Sequence, residues 1–489
     1  MISSVCWLPR GAAAANPQRY IPTDEQASAL RELATQRGTP SSSHCGEACS
    51  SSSGLADDEI DKKYGFEDYD EASAPSADPF LEPQGKDDPF LMGSDDDSED
   101  LDDRESSAIR PTDDLIVVSN VSEGDVSTLE VYVYEAEADN LFQHHEILLP
   151  AMPLCVEWLD FVPSTSPSQP GNRGSIAAVG SFLPCIELWD LDVIDCLEPL
   201  AILGAKSTAG SLLTLDDPER ELEYLPDAHK GPVLSLSWNP TYRQLLASGS
   251  ADNTVKLWDL TTEKAVHTMR HHKDKVQAVK WNPRMGNLLL SGGYDRRVCV
   301  VDPKQKKSAL AWEVPSDIEA VAWNPHDANI FLASTESGSV HAYDIRQPGK
   351  QLFSIMAHQK EVTGLSFNPK VPNMFLTSST DKTAKIWAVQ QGRPYCIQTF
   401  NSPCGKIFSA GYAIGAPFVS AIGGQSLEIV NTAQFEPVQK FAADPTTPLA
   451  TPKIAKPILD DHPSQAGPVV MKPYRPRPGQ KRGGHRGKK

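Results

Sequence analysis

Short runs in which apolar and polar residues alternate recur along the chain from residue 114 onward. NTVKLWD (253–259), RRVCVVD (296–302), SVHAYD (339–344) and KTAKIWA (382–388) are the clearest. They are rich in Val, Ile and aromatics, and Gly, Ser, Asn and Asp bound them, which predicts half-buried β-strands joined by tight turns. An apolar stretch ending in a small-residue turn precedes each run: LLASGSAD, LLLSGGYD, FLASTESG and FLTSSTD. HKGPVLSLSWNP, HKDKVQAVKWNP, SDIEAVAWNP and HQKEVTGLSFNP open the four units, and no helical period interrupts them.

The units are evenly spaced. His229, His272 and His358 fall at one and then two intervals of 43 residues, Asp252, Asp295 and Asp381 do likewise, and each His precedes its Asp by 23. A period of about 40 to 45 residues with Trp-Asp closing the units is the mark of the WD-repeat β-propeller. Weaker copies lie outward, one from MPLCVEWLDF to Trp189-Asp190, another ending at Leu129–Tyr134 and a last at Leu427–Val430. Third-strand ends then fall near 135, 190, 259, 302, 344, 388 and 431, which predicts an all-β, seven-bladed propeller.

The first unit has no opening strand beside it. Ser4-Val-Cys-Trp7-Leu-Pro9 resembles SLSWNP and AVKWNP, so residues 1–10 are expected to close the first blade and remove exposed sheet edges. Residues 11–112 then form a largely disordered acidic insertion, 113–442 the propeller and 443–489 a disordered, Pro-rich, basic tail.

Charge sharpens this division. The total is −20, of which residues 57–105 hold −16 while residues 471–489 hold +8, leaving an acidic body. Nucleic acid would therefore be met locally, through the tail KPYRPRPGQKRGGHRGKK, with Lys481, Arg482, Arg486 and Lys488 as candidate RNA contacts. Nuclear import is a separate use of such a tail. In SDDDSEDLDD, acids follow Ser94 and Ser98, making both candidate phosphosites for an acidophilic kinase. That run suits basic partners such as histones or ribosomal proteins, or simply a solvated spacer. Residues 24–36 are weakly amphipathic and suggest a short helix.

Nine cysteines are too scattered for a disulfide framework. Cys155, Cys185 and Cys299 fall on strand patterns as buried thiols, and His44, Cys45 and Cys49 have no second pair of ligands, so no metal site or cofactor is expected. There is neither a leader-like segment nor a run of 18 apolar residues, so no membrane contact is expected.

Histidine, hydroxyl and aspartate in register invite a hydrolytic reading. His229, Ser248, Asp252 and Trp258 hold the same spacings as His358, Thr377, Asp381 and Trp387. A catalytic constellation is made once; a repeated one suits a buried hydrogen-bond tetrad that fixes blade geometry. The fourth unit has His272, Ser291 and Asp295 but Val301 in place of the Trp, predicting a truncated tetrad. No Walker loop, G-x-S-x-G elbow or His-Glu-x-x-His pair is present, so neither an enzyme nor a small-molecule substrate is expected.

Several non-repeating segments resemble the periodic tryptophan protein 1 family: MISSVCWLPRG at the N-terminus, HHEILLPAMPLCVEWLDF (144–161), IELWDLDVIDCLEP (186–199) and SADNTVKLWDL (250–260). The resemblance runs to about residue 442. It implies a non-enzymatic nucleolar scaffold in assembly of the large ribosomal subunit and processing of its RNA. Its partners would be assembly factors, ribosomal proteins of the precursor and pre-ribosomal RNA, with links to chromatin. The loop from Lys206 to Leu225 is a candidate docking element. Two other readings stay open. Tyr343-Asp344-Ile-Arg346 approximates the ending of propellers that serve as cullin-type ubiquitin-ligase substrate receptors, with Arg346 as adaptor contact, and the acidic insertion suits a histone-binding chromatin regulator.

Overall fold

Alternation is realised strand by strand in a computed structural model that describes residues 1–21, 108–122, 124, 126–163, 173–206, 223–305 and 310–444. The strands form seven antiparallel sheets, six of four strands and one of three. Blade 3 is typical. Val233–Trp238, Leu245–Ser250, Val255–Asp259 and Lys264–Met269 run from the innermost strand to the outermost, each paired with the one before. The third strands of the seven blades end at Glu135, Asp190, Asp259, Val301, Asp344, Gln390 and Asn431, within two residues of the predicted positions.

The innermost strands neighbour one another in a closed circle, and Ile2–Trp7 occupies the place between blades 7 and 2. It pairs with Asp114–Val121 as the inner strand of blade 1, although more than a hundred residues separate the two. Its other side meets blade 7, where Ile2 N–H donates to Gly424 O (2.7 Å) and Val5 N–H to Ser409 Oγ (3.2 Å).

The core is distributed. Seven main clusters of buried apolar side chains each fill one junction between adjacent blades, as where Val117 and Val131 of blade 1 meet Val156 and Val179 of blade 2. Both faces of each sheet are covered, which explains strands such as Ile176–Ser181 that are buried along their whole length. The first two strands pair with a register shift after the opening residue in six blades, as between Val233 and Ser235 and between Val276 and Ala278. Such a bulge bends the strand locally.

Two features depart from the sequence reading. Residues 11–21 and 108–112, assigned there to the insertion, lie on the propeller: Gln18–Arg19 pairs in parallel with Val193–Ile194, and Ile109 N–H donates to Ala15 O (2.9 Å). Ala12, Ala13 and Tyr20 cover the blade 1–2 core, so apolar contact holds this strap in place. Among the described residues blade 7 has three strands, and a helix, α1 (Glu436–Ala443), follows the third. Val438 and Phe441, three residues apart, share its buried face and join the blade 6–7 core. The remainder of the insertion, with residues 24–36, Ser94, Ser98, His44, Cys45 and Cys49, lies outside the described residues, as does the tail after residue 444.

Candidate functional site

The repeated polar residues meet in buried relays. In blade 3, His229 comes from the loop before the inner strand and Asp252 from the turn joining the second and third strands. His229 Nδ1–H donates to Asp252 Oδ2 (3.0 Å), Ser248 Oγ–H donates to His229 Nε2 (2.7 Å), and Trp258 Nε1–H donates to Ser248 Oγ (2.9 Å). Blade 6 repeats this with His358 and Asp381 (3.1 Å), Thr377 (2.8 Å) and Trp387 (2.9 Å). Residues sequence placed only in register are thus brought within hydrogen-bond contact.

Electrostatics fix the protonation of the relays. Burial outweighs the aspartates' pull and lowers the pKa of His229 and His358 below the ordinary imidazole value, so both rings are neutral. Burial raises Asp252, but hydrogen bonds from His229, Thr254 and the Lys230 N–H outweigh it and hold the carboxylate far below its usual range. The Asp381 carboxylate behaves alike, with Thr383 and Gln359 in the matching places. Ser248 and Thr377 are fully buried, and each hydroxyl has its proton committed to histidine and its lone pair to indole. No substrate could reach them.

Blade 4 is not truncated. The imidazole of His271, the residue before the relay histidine, takes the place of the missing indole, with Nε2 at 2.8 Å from Ser291 Oγ, while His272 Nε2 lies at 2.9 Å from the same oxygen. Blade 5 has Pro315 where the histidine would stand and builds a different network, in which Ser339 Oγ bonds His341 Nε2 (2.8 Å) and Gln351 Nε2 bonds His341 Nδ1 (2.9 Å).

Blades 1, 2 and 7 use glutamate on the third strand. Glu130 accepts from Asn120 (2.9 Å), Thr128 (3.2 Å) and Tyr132 (2.9 Å); Glu187 accepts from Trp189 Nε1–H (3.1 Å); Glu428 accepts from Ser402 Oγ–H. Glu187 is poorly served, and burial pushes its pKa up to about 7 despite the indole. The signal was present in the sequence as Leu129-Glu130, Ile186-Glu187 and Leu427-Glu428, each in the opening half of its third strand.

A second set of buried polar residues, also missed, ties blades together at the opposite end of the inner strands. In the recurring WNP, WNP, WNP and FNP, the asparagines are Asn239, Asn282, Asn324 and Asn368. The Asn282 side chain accepts from Arg284 N–H (3.0 Å) and Met285 N–H (2.8 Å) and donates to Ala328 O of the next blade (2.7 Å). Asn239 reaches Gly286 O in the same way (2.7 Å), and Asn368 reaches Pro417 O. From blade 5, His326 makes the step instead, donating to Asn368 O (3.1 Å).

The remaining candidates are dispersed. Arg346 is half exposed, and its guanidinium is engaged in a fork with Asp344 (Nη2 to Oδ2, 2.7 Å; Nε to Oδ1, 2.9 Å), which holds that carboxylate below its usual range. Lys206 and Glu223 form an ion pair at the base of the proposed docking loop, whose residues 207–222 lie outside the described residues, as do Lys481, Arg482, Arg486 and Lys488. No helix among the described residues is long and apolar enough to cross a membrane.

Comparisons with known proteins agree with this anatomy. The family model described as WD domain, G-beta repeat matches residues 220–259, 263–302 and 349–388, which contain the first three strands, in blade 6 as far as Ala388, and the histidine relays of blades 3, 4 and 6. An uncharacterised WD repeat-containing protein of Schizosaccharomyces pombe is 35% identical over 445 residues, covering 84% of each chain. Periodic tryptophan protein 1 of Saccharomyces cerevisiae is 30% identical over 458 residues, covering 79% of this chain and 78% of its own. The periodic tryptophan protein 1 homolog of Drosophila melanogaster is 29% identical over 339 residues, covering 68% and 69%.

Proposed function

The chain belongs to the periodic tryptophan protein 1 family of WD-repeat proteins, and on that premise we propose that it is a non-enzymatic scaffold in biogenesis of the large ribosomal subunit. It works in the nucleolus, where it holds assembly factors and ribosomal proteins of the precursor together during processing of the RNA. The carrying observation is that the repeated histidines, hydroxyls and aspartates are spent on one another inside the blades. What the propeller presents to partners is a rigid ring of loops, and loops on rigid scaffolds carry recognition.

The charged extensions support the reading. Eight bases in residues 471–489 suit pre-ribosomal RNA, and the acidic insertion suits basic ribosomal proteins. Affinity purification of the full chain from nuclear extract at moderate salt is expected to recover large-subunit RNA precursors with their assembly factors. Depletion of the protein is expected to make those precursors accumulate. Normal precursor levels after depletion, with a ubiquitin-ligase adaptor or nucleosomes as the main co-purifying species, would overturn the proposal.

A further inference from the structure

Three of the positions at which blade 4 departs from blades 3 and 6 meet at its relay. Val301 stands where they have Trp258 and Trp387, and His271 precedes the relay histidine where they have Ala228 and Ala357. Opposite the relay hydroxyl, Cys299 faces Ser291, whereas Lys256 faces Ser248 and Lys385 faces Thr377. Exchange of indole for imidazole explains the first two departures together. It does not explain the thiol, which replaces a lysine at a fully buried position.

The donor atoms of these side chains converge. One ligand atom each from His271, His272 and Cys299 lies within 4.8 Å of the other two, the one such group of three among the described residues. Asp295 Oδ1 sits 3.0 Å from His272 Nδ1 and holds the proton there, which turns the Nε2 lone pair inward. A carboxylate behind a histidine is the usual outer support of a metal ligand.

We infer that His271, His272 and Cys299 bind a zinc ion, with the Ser291 hydroxyl or a water molecule as fourth ligand. Two imidazoles and a thiolate suit a borderline-soft d10 cation, at about 2.0–2.1 Å from nitrogen and about 2.3 Å from sulfur. The donors close on the ion by small side-chain rotations. Cys299 binds as thiolate and releases its proton to solvent, both histidines bind neutral, and Ser291 gives up its hydrogen bonds to the imidazoles. No other covalent bond changes.

The test uses the full chain carrying no histidine tag, folded with zinc and then dialysed. About one zinc per chain is expected, and replacement by cobalt(II) should produce the charge-transfer band of a cobalt–thiolate bond. Cys299→Ser should lose both, while Cys185→Ser, which alters a buried thiol of blade 2, should keep them. A wild-type chain without the cobalt–thiolate band, or a band that survives Cys299→Ser, overturns the inference. Should Cys299→Ser fail to fold, X-ray absorption of the wild-type zinc protein decides instead: one sulfur with nitrogen neighbours supports the site, and oxygen neighbours alone or several sulfurs overturn it.

Discussion

The indole Nε1–H of Trp7 donates to the carbonyl oxygen of Gly411 at 3.0 Å, across 404 residues of sequence. This bond joins blade 1 to blade 7 and makes the N-terminal strand part of the ring's closure. Trp7 is buried at that junction. Trp7→Ala should destabilise the propeller by about 3–5 kcal/mol through the cavity it leaves, and Trp7→Phe by about 1 kcal/mol through the lost hydrogen bond. Urea denaturation followed by fluorescence checks both, and equal costs for the two variants would contradict this account.

The relays in blades 3 and 6 hold turns rather than reactants. His229→Ala and His358→Ala should each remove about 1–3 kcal/mol of stability by leaving a buried hydroxyl and a carboxylate short of partners. Because the relays lie in different blades, the double variant should lose close to the sum. Denaturation of the two single variants and the double variant measures this.

Acid sensitivity follows from the same burial. Burial lowers the pKa of His145 to about 4, and lowers His229 and His358 as well. Between pH 6.5 and those folded-state values the unfolded chain binds more protons than the folded one, so stability falls as pH falls. Below pH 3.8 the lowered pKa of Asp252 and Asp381 adds a loss of the same sign. Denaturation midpoints should decline from pH 7 to pH 5; midpoints that stay level would contradict the neutral, buried histidines.

Glu187 works in the opposite direction. Burial raises its pKa from 4.5 to about 7, so the folded chain binds more protons in that window and this contribution to stability is lost as pH rises through it. Glu187→Gln keeps an acceptor for Trp189 without the charge. The variant should gain on the order of 1–3 kcal/mol over wild type at pH 8 and little at pH 4.5. A pair of thermal melts at those two pH values checks it.

Asn282 tests whether blades are clamped to their neighbours. Asn282→Ala leaves the Ala328 carbonyl and two loop N–H groups without their partner, at a cost of about 2 kcal/mol. Hydrogen exchange should quicken in the loops after Trp281 and Trp323 while other blades stay protected. Uniform acceleration around the ring would argue for a general loss of stability instead.

The sequence by itself determined the strands, the count of seven blades and the identity of the relay residues in blades 3 and 6. Side-chain alternation and tight-turn residues are local, and a repeat copies them at a fixed interval, so they can be read one unit at a time. Only the tertiary structure decided which groups serve one another when the lettering changes. His271 beside Ser291, Glu187 beneath Trp189 and Asn282 reaching the next blade solve one physical problem, since each buried polar group needs a partner and any residue of suitable reach can supply it. The same holds for the strap at residues 11–21 and 108–112 and for α1. Each is held by a surface that two neighbouring blades make together, blades 1 and 2 for the strap and blades 6 and 7 for the helix.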